Sequence, residues 1–176
     1  MNKRDFKFIF APIGVAFGIF LFISVCIFIT NKFGVSDLYH ILRFIPKRLI
    51  FSIGIITVLT FLPIFVIGIF YLNRRGAVGQ SDSLVTNGIY KYVRNPMYSG
   101  ISFTIFGIGF LLNKTGVVLA GILWLLMTFI QCKREEKELN GRFGEEYMNY
   151  KNSSHMFIPN FKKLMTDIIQ NFKGGK

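Results

Sequence analysis

The sequence predicts an all-α integral membrane protein with about four transmembrane helices, the last two a tight hairpin. Three observations predict it. Hydrophobic residues make up 52% of the chain and charged residues only 17%, apolar-rich and charge-poor beside ordinary soluble domains. The apolar residues fall in long blocks without a single charge, between Lys7 and Lys32, Arg48 and Arg74, Arg94 and Lys114, and Lys114 and Lys133. The basic residues cluster at alternate ends of those blocks.

Each block is judged against the roughly 30 Å of hydrocarbon that about 20 helical residues must cross. The first predicts a helix over 8–30. Its apolar run is too long for a signal h-region and no small-residue cleavage site follows, so it reads as a retained anchor. The loop to residue 48 has room for an interfacial helix around Leu38–Ile45. A second helix is predicted over 49–72, with Pro63 removing one backbone hydrogen bond and introducing a kink. A polar connector covers 73–96. Helices over 97–112 and 116–140 follow, separated by Asn113-Lys114-Thr115-Gly116, a turn signal. The last of these continues past the membrane through Cys132–Leu139 on strong helix formers, with Gly141 and Gly144 as its expected end. Residues 161–172 alternate Phe161, Leu164, Ile168, Ile169 and Phe172 on one face with Lys162, Lys163, Thr166, Asp167 and Gln170 on the other. This amphipathic helix suits either an anionic membrane surface or packing on the domain. The whole reads as one membrane domain over 1–176: two N-terminal spans (1–73), a core (74–160) and the amphipathic tail (161–176).

The net charge of +12 would suggest nucleic acid in a soluble chain. Here a membrane explains it. With the N-terminus inside, four spans leave 16 of the 21 basic residues in inner segments and 5 in outer ones, as the positive-inside rule favours. Both termini are therefore expected to be cytoplasmic, and no nucleic-acid partner is implied. Two cysteines, Cys26 and Cys132, predict no disulfide, and isolated His40 and His155 predict no metal site.

Chemistry is expected in two places. Residues 84–100, LVTNGIYKYVRNPMYSG, are polar, aromatic and glycine-bearing, and they open the third span. Asn87-Gly88 marks a turn, and Pro96 pushes Asn95 out of the helical region. Tyr90, Tyr92 and Tyr98 surround this helix start, although tyrosine also gathers at membrane interfaces without further function, and Lys91 and Arg94 suit lipid phosphates equally well. Residues 133–150, KREEKELNGRFGEEYMNY, carry the second set. Gln131 and Glu135 share a helix face one turn apart. For Glu136, Glu145 and Glu146 the simple reading is a solvated charged helix. Glu135 differs, because the hairpin brings the inner end of the fourth helix back beside the connector. A carboxylate facing tyrosines at the mouth of a membrane cavity is a site candidate.

Together these stretches resemble the superfamily of isoprenylcysteine carboxyl methyltransferases and phospholipid methyltransferases. The first motif stands as Leu84-Val85-Thr86, Gly88, Tyr90, Arg94-Asn95-Pro96-Met97-Tyr98 and Gly100. The second stands as Glu135-Glu136, Leu139, Phe143-Gly144-Glu145-Glu146-Tyr147, with Tyr150 after it. Phe157-Ile158-Pro159 fits the closing segment, and the resemblance covers roughly residues 74–160. It implies an enzyme that uses S-adenosylmethionine, held on the cytoplasmic side by Asp82, Ser83, Leu84, Val85, Tyr90, Asn95, Pro96, Met97, Tyr98 and Glu135. It implies catalytic roles for Glu135, Asn95 and Tyr98, and contact with a lipid or lipid-linked substrate by Gln131 and Arg94. No metal is implied. One departure stands out: the family's usual His is Asn95, which keeps hydrogen bonding but cannot carry a proton charge. A NADPH-dependent sterol-type reductase and a non-catalytic membrane protein on the same scaffold are the other readings.

Overall fold

The computed structural model describes residues 3–75 and 83–174, with side chains over 18–71, 83–170 and 172. Six α-helices carry the described chain: α1 (Lys3–Lys32), α2 (Leu38–Ile41), α3 (Lys47–Arg75), α4 (Pro96–Leu111), α5 (Thr115–Ser153) and α6 (Phe161–Gly174). A single 3-10 turn, Gly88–Lys91, precedes α4. Among the described residues the only extended pairing is two isolated bridges, Asp37 with Lys114 and Val93 with His155. The all-helical class is as the sequence predicts.

Among the described residues two helices are long and apolar enough to cross a bilayer, α3 over 47–71 and α5, whose most apolar stretches have mean hydropathy 2.6 and 1.9; 18–32 of α1 and α4 are shorter apolar helices. Only 17% of the most apolar stretch of α3 is buried within the protein. Ile56, Leu59 and Phe70 are more than 60% exposed. Soluble monomers rarely leave so large a contiguous apolar surface in water. Lipid is the solvent that accepts it.

The chain divides into two compact units. In the first (Met1–Thr57 and Ile105–Leu123) small residues let helices approach closely, as in membrane packing generally. A Cβ on Gly116 would sit 2.6 Å from the Ile27 backbone, and one on Gly109 would sit 2.6 Å from Val118. The turn between α4 and α5 is closed by Asn113 in a left-handed conformation, φ 55°, which asparagine tolerates better than most residues. Its side chain donates to Asp37 at 2.7 Å and accepts from the Tyr39 amide at 2.7 Å. Asp37 also caps α2. That helix ends at Ile41, short of the expected Leu38–Ile45.

The second unit (Val58–Thr104 and Trp124–Lys176) carries the polar residues of both motifs. Gly100 on α4 approaches α3 so closely that a Cβ would lie 2.6 Å from the Phe65 backbone. The Phe61 and Phe103 rings stack 4.4 Å apart along the same contact. Pro63 lies inside α3, where it leaves the Leu59 carbonyl without its helical donor. The fourth helix, past the membrane, was expected to end at Gly141 or Gly144. Gly141 stays helical, and Gly144 adopts φ 50°, ψ −119°, after which α5 resumes to Ser153. Glycine reaches that backbone region without steric cost, so the residue acts as a swivel within α5.

Candidate functional site: a tyrosine and carboxylate cavity at the start of α4

The connector into α4 is fixed by a short set of main-chain constraints. Gly88 has φ +63°, and a Cβ there would collide with the Tyr71 ring, so both conformation and space demand glycine. The 3-10 turn that follows buries Tyr90. The next residues are pinned from the far side. Arg94 and Asn95 amides donate to the carbonyls of His155 and Met156 at 2.8 and 3.2 Å, and the Asn160 amide donates to Tyr92 at 2.9 Å. The Tyr150 hydroxyl donates to the Tyr90 carbonyl at 2.9 Å. Pro96 then starts α4, where a missing N–H has no helical partner to lose.

Arg94 is the centre of this clamp. Its Nη1 donates to the carbonyls of Lys151, at 2.9 Å, and Ser154, and its Nη2 donates to Glu136 at 2.9 Å. Glu136 also pairs with Lys151 at 3.1 Å. Side chains of Arg94 and Glu136 are only 10% and 7% exposed. Burial pushes the Glu136 carboxyl up, but hydrogen bonds from Arg94 and Lys151 outweigh it and hold it below the usual carboxylate value. The solvated-helix reading of Glu136 is therefore corrected: it faces inward because the connector presents a guanidinium to it. Arg94 Nε is buried without a hydrogen-bond partner.

Between the clamp and α5 lies a cavity of about 200 Å³. Tyr90 and Arg94–Tyr98 form one wall. From α5, Cys132, Glu135, Glu136 and Leu139 form another, and Tyr147 and Tyr150, beyond the Gly144 swivel, close it. The Tyr98 hydroxyl donates to Glu135 Oε1 at 2.9 Å, and Gln131 Nε2 donates to the same oxygen at 3.0 Å. Burial, reinforced by the Glu135 charge, pushes the Tyr90 phenol up to about 12. Burial, reinforced by Glu136, pushes Tyr147 up to about 12 as well. Both stay protonated at neutral pH, so they offer aromatic faces and neutral hydroxyls rather than a base.

The structure thus brings together Tyr90, Arg94, Asn95, Pro96, Met97, Tyr98 and Glu135 of the residues singled out in the sequence. Asn95 also donates its side-chain amide to the Met156 carbonyl at 3.3 Å. Gln131 is exposed and outside the cavity wall, joined to it through Glu135. Ser83, Leu84 and Val85 do not line the cavity. Asp82 falls outside the described residues. Cys132, fully buried, was missed. A residue three positions before Glu135 on the same helix shares its face, and that signal was available.

A membrane-type helical protein with a tyrosine-walled cavity at a helix start, and a carboxylate inside it, is the class that fold and site define. The comparisons make it specific. The phospholipid methyltransferase family model matches residues 42–146, more than half of the 176. The chain belongs to the phospholipid methyltransferase family. Protein-S-isoprenylcysteine O-methyltransferase of Mus musculus is 32% identical over 93 residues, 51% of this chain and 32% of that protein. The match therefore spans about a third of the relative's length. The family resemblance read from the two motifs is correct.

Proposed function

We propose that the protein transfers a methyl group from S-adenosylmethionine to a lipid or lipid-attached acceptor at the inner membrane interface. The observation that carries this is the cavity itself: one carboxylate, Glu135, held by two neutral donors and facing a wall of tyrosines. The wall fits a cationic, partly aromatic molecule. Glu135 supplies the negative charge, the tyrosine rings supply stacking and cation–π surface, and the orphaned Arg94 Nε supplies a donor for a ligand carboxylate. Glu136 is spent on its cations, so Glu135 is the carboxylate left to meet a ligand charge.

When bound, S-adenosylmethionine brings an already activated methyl on a sulfonium. What the chain must do is hold, align and keep water out. Tyr98 fixes the Glu135 carboxylate from the α4 side and Gln131 fixes it from one turn earlier on α5. Arg94 holds the connector, including Asn95 and Met97, against residues 151–156. A carboxylate or thiolate acceptor needs no base at neutral pH, and neither protonated tyrosines nor Asn95 provides one. An amine acceptor would arrive as an ammonium and would have to lose its proton first. Gln131 and Arg94 are proposed to meet the acceptor's head group, while its tail lies among α3 and α4. Ser83–Val85 and Asp82 are proposed to cover the cofactor from the connector.

The four-span arrangement, the α4–α5 hairpin, the single membrane domain and cytoplasmic termini belong to the same proposal, supported by the split of basic residues. The test is direct. The protein is purified in detergent, and S-adenosylmethionine and NADPH are titrated against it. It is then incubated with labelled S-adenosylmethionine and either a membrane lipid extract or a pool of polar metabolites. Cofactor binding with label in the organic phase is expected. Label confined to the polar pool overturns the lipid acceptor, and binding of NADPH alone overturns methyl transfer.

A further inference from the structure

We propose that α6 and the Phe157–Pro159 turn before it form an anchor seated on the bilayer surface, with anionic lipid as its partner. The first support is the direction in which α6 is turned. One edge of its polar side, Lys163 and Asp167, faces the protein, and Lys162, Thr166 and Gln170 stay exposed. Asp167 accepts from the Tyr92 hydroxyl at 2.9 Å and pairs with Lys91 at 2.6 Å. Lys163 donates its ammonium to the Ser153 carbonyl at 3.2 Å, and its amide is capped by the Asn160 side chain at 3.1 Å. The apolar side faces out: Phe161, Met165, Ile169 and Phe172 are exposed, the last by 81%. A helix packed on a water-soluble domain shows the opposite arrangement. Docking through polar contacts, with the apolar stripe outward, is what a helix lying in an interface requires.

The second support is depth. The Phe157 ring lies 6.4 Å from Phe129. Phe129 belongs to the uncharged stretch of α5 that ends at Lys133, whose ammonium sits over the same ring. Phe157 is therefore level with the end of an apolar membrane-type helix, and α6 begins four residues later. Ile158, 55% exposed, adds apolar surface at that level. The third support is charge. Residues 161–176 hold Lys162, Lys163, Lys173 and Lys176 against Asp167 alone, a balance that an anionic leaflet attracts. A neutral apolar groove on another protein would have no use for it.

This anchor does not rest on methyl transfer, although it reaches the site. Asp167 holds Lys91 and Tyr92, which directly follow the cavity residue Tyr90. The lipid surface thus braces the connector from outside, as Arg94 braces it from within.

The test places single cysteines in full-length protein in lipid nanodiscs, with the buried Cys26 and Cys132 as the unlabelled background. Positions Met165, Ile169 and Phe172 are compared with Lys162, Thr166 and Gln170, each carrying an environment-sensitive fluorophore. Spin-labelled lipid is the quencher, in discs of phosphatidylcholine with or without phosphatidylglycerol. Blue-shifted emission and several-fold stronger quenching at the first set are expected, stronger still with phosphatidylglycerol. Equal quenching on both sets overturns the anchor. So does a blue shift that lipid quencher cannot reach, which would mean that protein, such as a second copy, covers the face. Quenching indifferent to phosphatidylglycerol overturns the anionic preference.

Discussion

Replacing Glu136 by Gln should destabilise the protein by about 3 kcal/mol. The carboxylate sits 2.9 Å from Arg94 Nη2 and 3.1 Å from Lys151 Nζ. Lys133, at 3.7 Å and half-exposed, adds little, as exposed pairs do. Removing one partner of a buried pair typically costs about 3–5 kcal/mol, because the other charge stays buried alone. Arg94 keeps its two carbonyl acceptors in the variant, which places the cost at the lower end. For a chain of this size about 3 kcal/mol corresponds to roughly 6–12 °C in Tm. The assay is thermal unfolding in detergent without cofactor, repeated across pH. The Glu136 carboxyl is lowered in the folded protein, since hydrogen bonds from Arg94 and Lys151 outweigh the opposing effect of burial. A carboxyl lowered on folding contributes stability above its unfolded pKa and loses it as pH falls through the folded one. The gap between wild type and Glu136→Gln should thus be full at pH 7 and close only below the ordinary carboxylate range. Arg94→Met together with Glu136→Gln should cost less than the sum of the two single changes, since the two charges are then removed together. A Glu136→Gln protein within about 0.5 kcal/mol of wild type at pH 7, the range of ordinary surface changes, would refute the argument.

Other outcomes follow from the same cavity. Glu135→Gln and Tyr98→Phe should each weaken S-adenosylmethionine binding by about 1.5–3 kcal/mol, roughly 10- to 150-fold, with Tm nearly unchanged; titration calorimetry with unaltered affinity in both would remove the proposed pocket. Asn95→His should keep cofactor binding, because a ring N–H can replace the amide that donates to the Met156 carbonyl; complete loss would mean that this site departs from the family's layout. A cysteine at position 114 should react with impermeant reagent only from outside the cell; labelling only from inside would reverse the orientation.

The helices were legible in the sequence because lipid imposes a crude demand, a long stretch without charge, that needs no knowledge of neighbours. Their polar ends were harder to read. Gly141 and Gly144 look alike as stop signals, yet only Gly144 leaves helical geometry, and α5 continues because Tyr147 and Tyr150 have the cavity to pack into. Adjacent carboxylates Glu135 and Glu136 point about 100° apart on a helix. Both turn out to be engaged, one by Tyr98 and the other by Arg94, and those partners lie about 40 residues earlier. Spacing within the helix could not reveal the second. The motif glycines show the reverse. Gly88 and Gly100 were visible as letters, while their reason, the nearness of Tyr71 and Phe65, exists only in three dimensions. The amphipathic period of α6 was plain, but which side met the protein was set by Lys91 and Tyr92.

The Arg94 clamp has a consequence for the order in which the protein can be made. Its carbonyl partners lie 57 and 60 residues further along the chain, and the Asn160 amide closes on Tyr92 later still. Synthesis runs from the N-terminus at about 5–20 residues per second. For several seconds the connector into α4 stands at the membrane with its guanidinium unpaired and its tyrosines uncovered. The cavity is among the last parts to be assembled, by contacts distant in sequence that form slowly. A chain cut short between residues 133 and 150 would keep its apolar helices but lack the residues 151–160 that clamp Arg94 and Tyr92, so the cavity at the start of α4 would stay unformed.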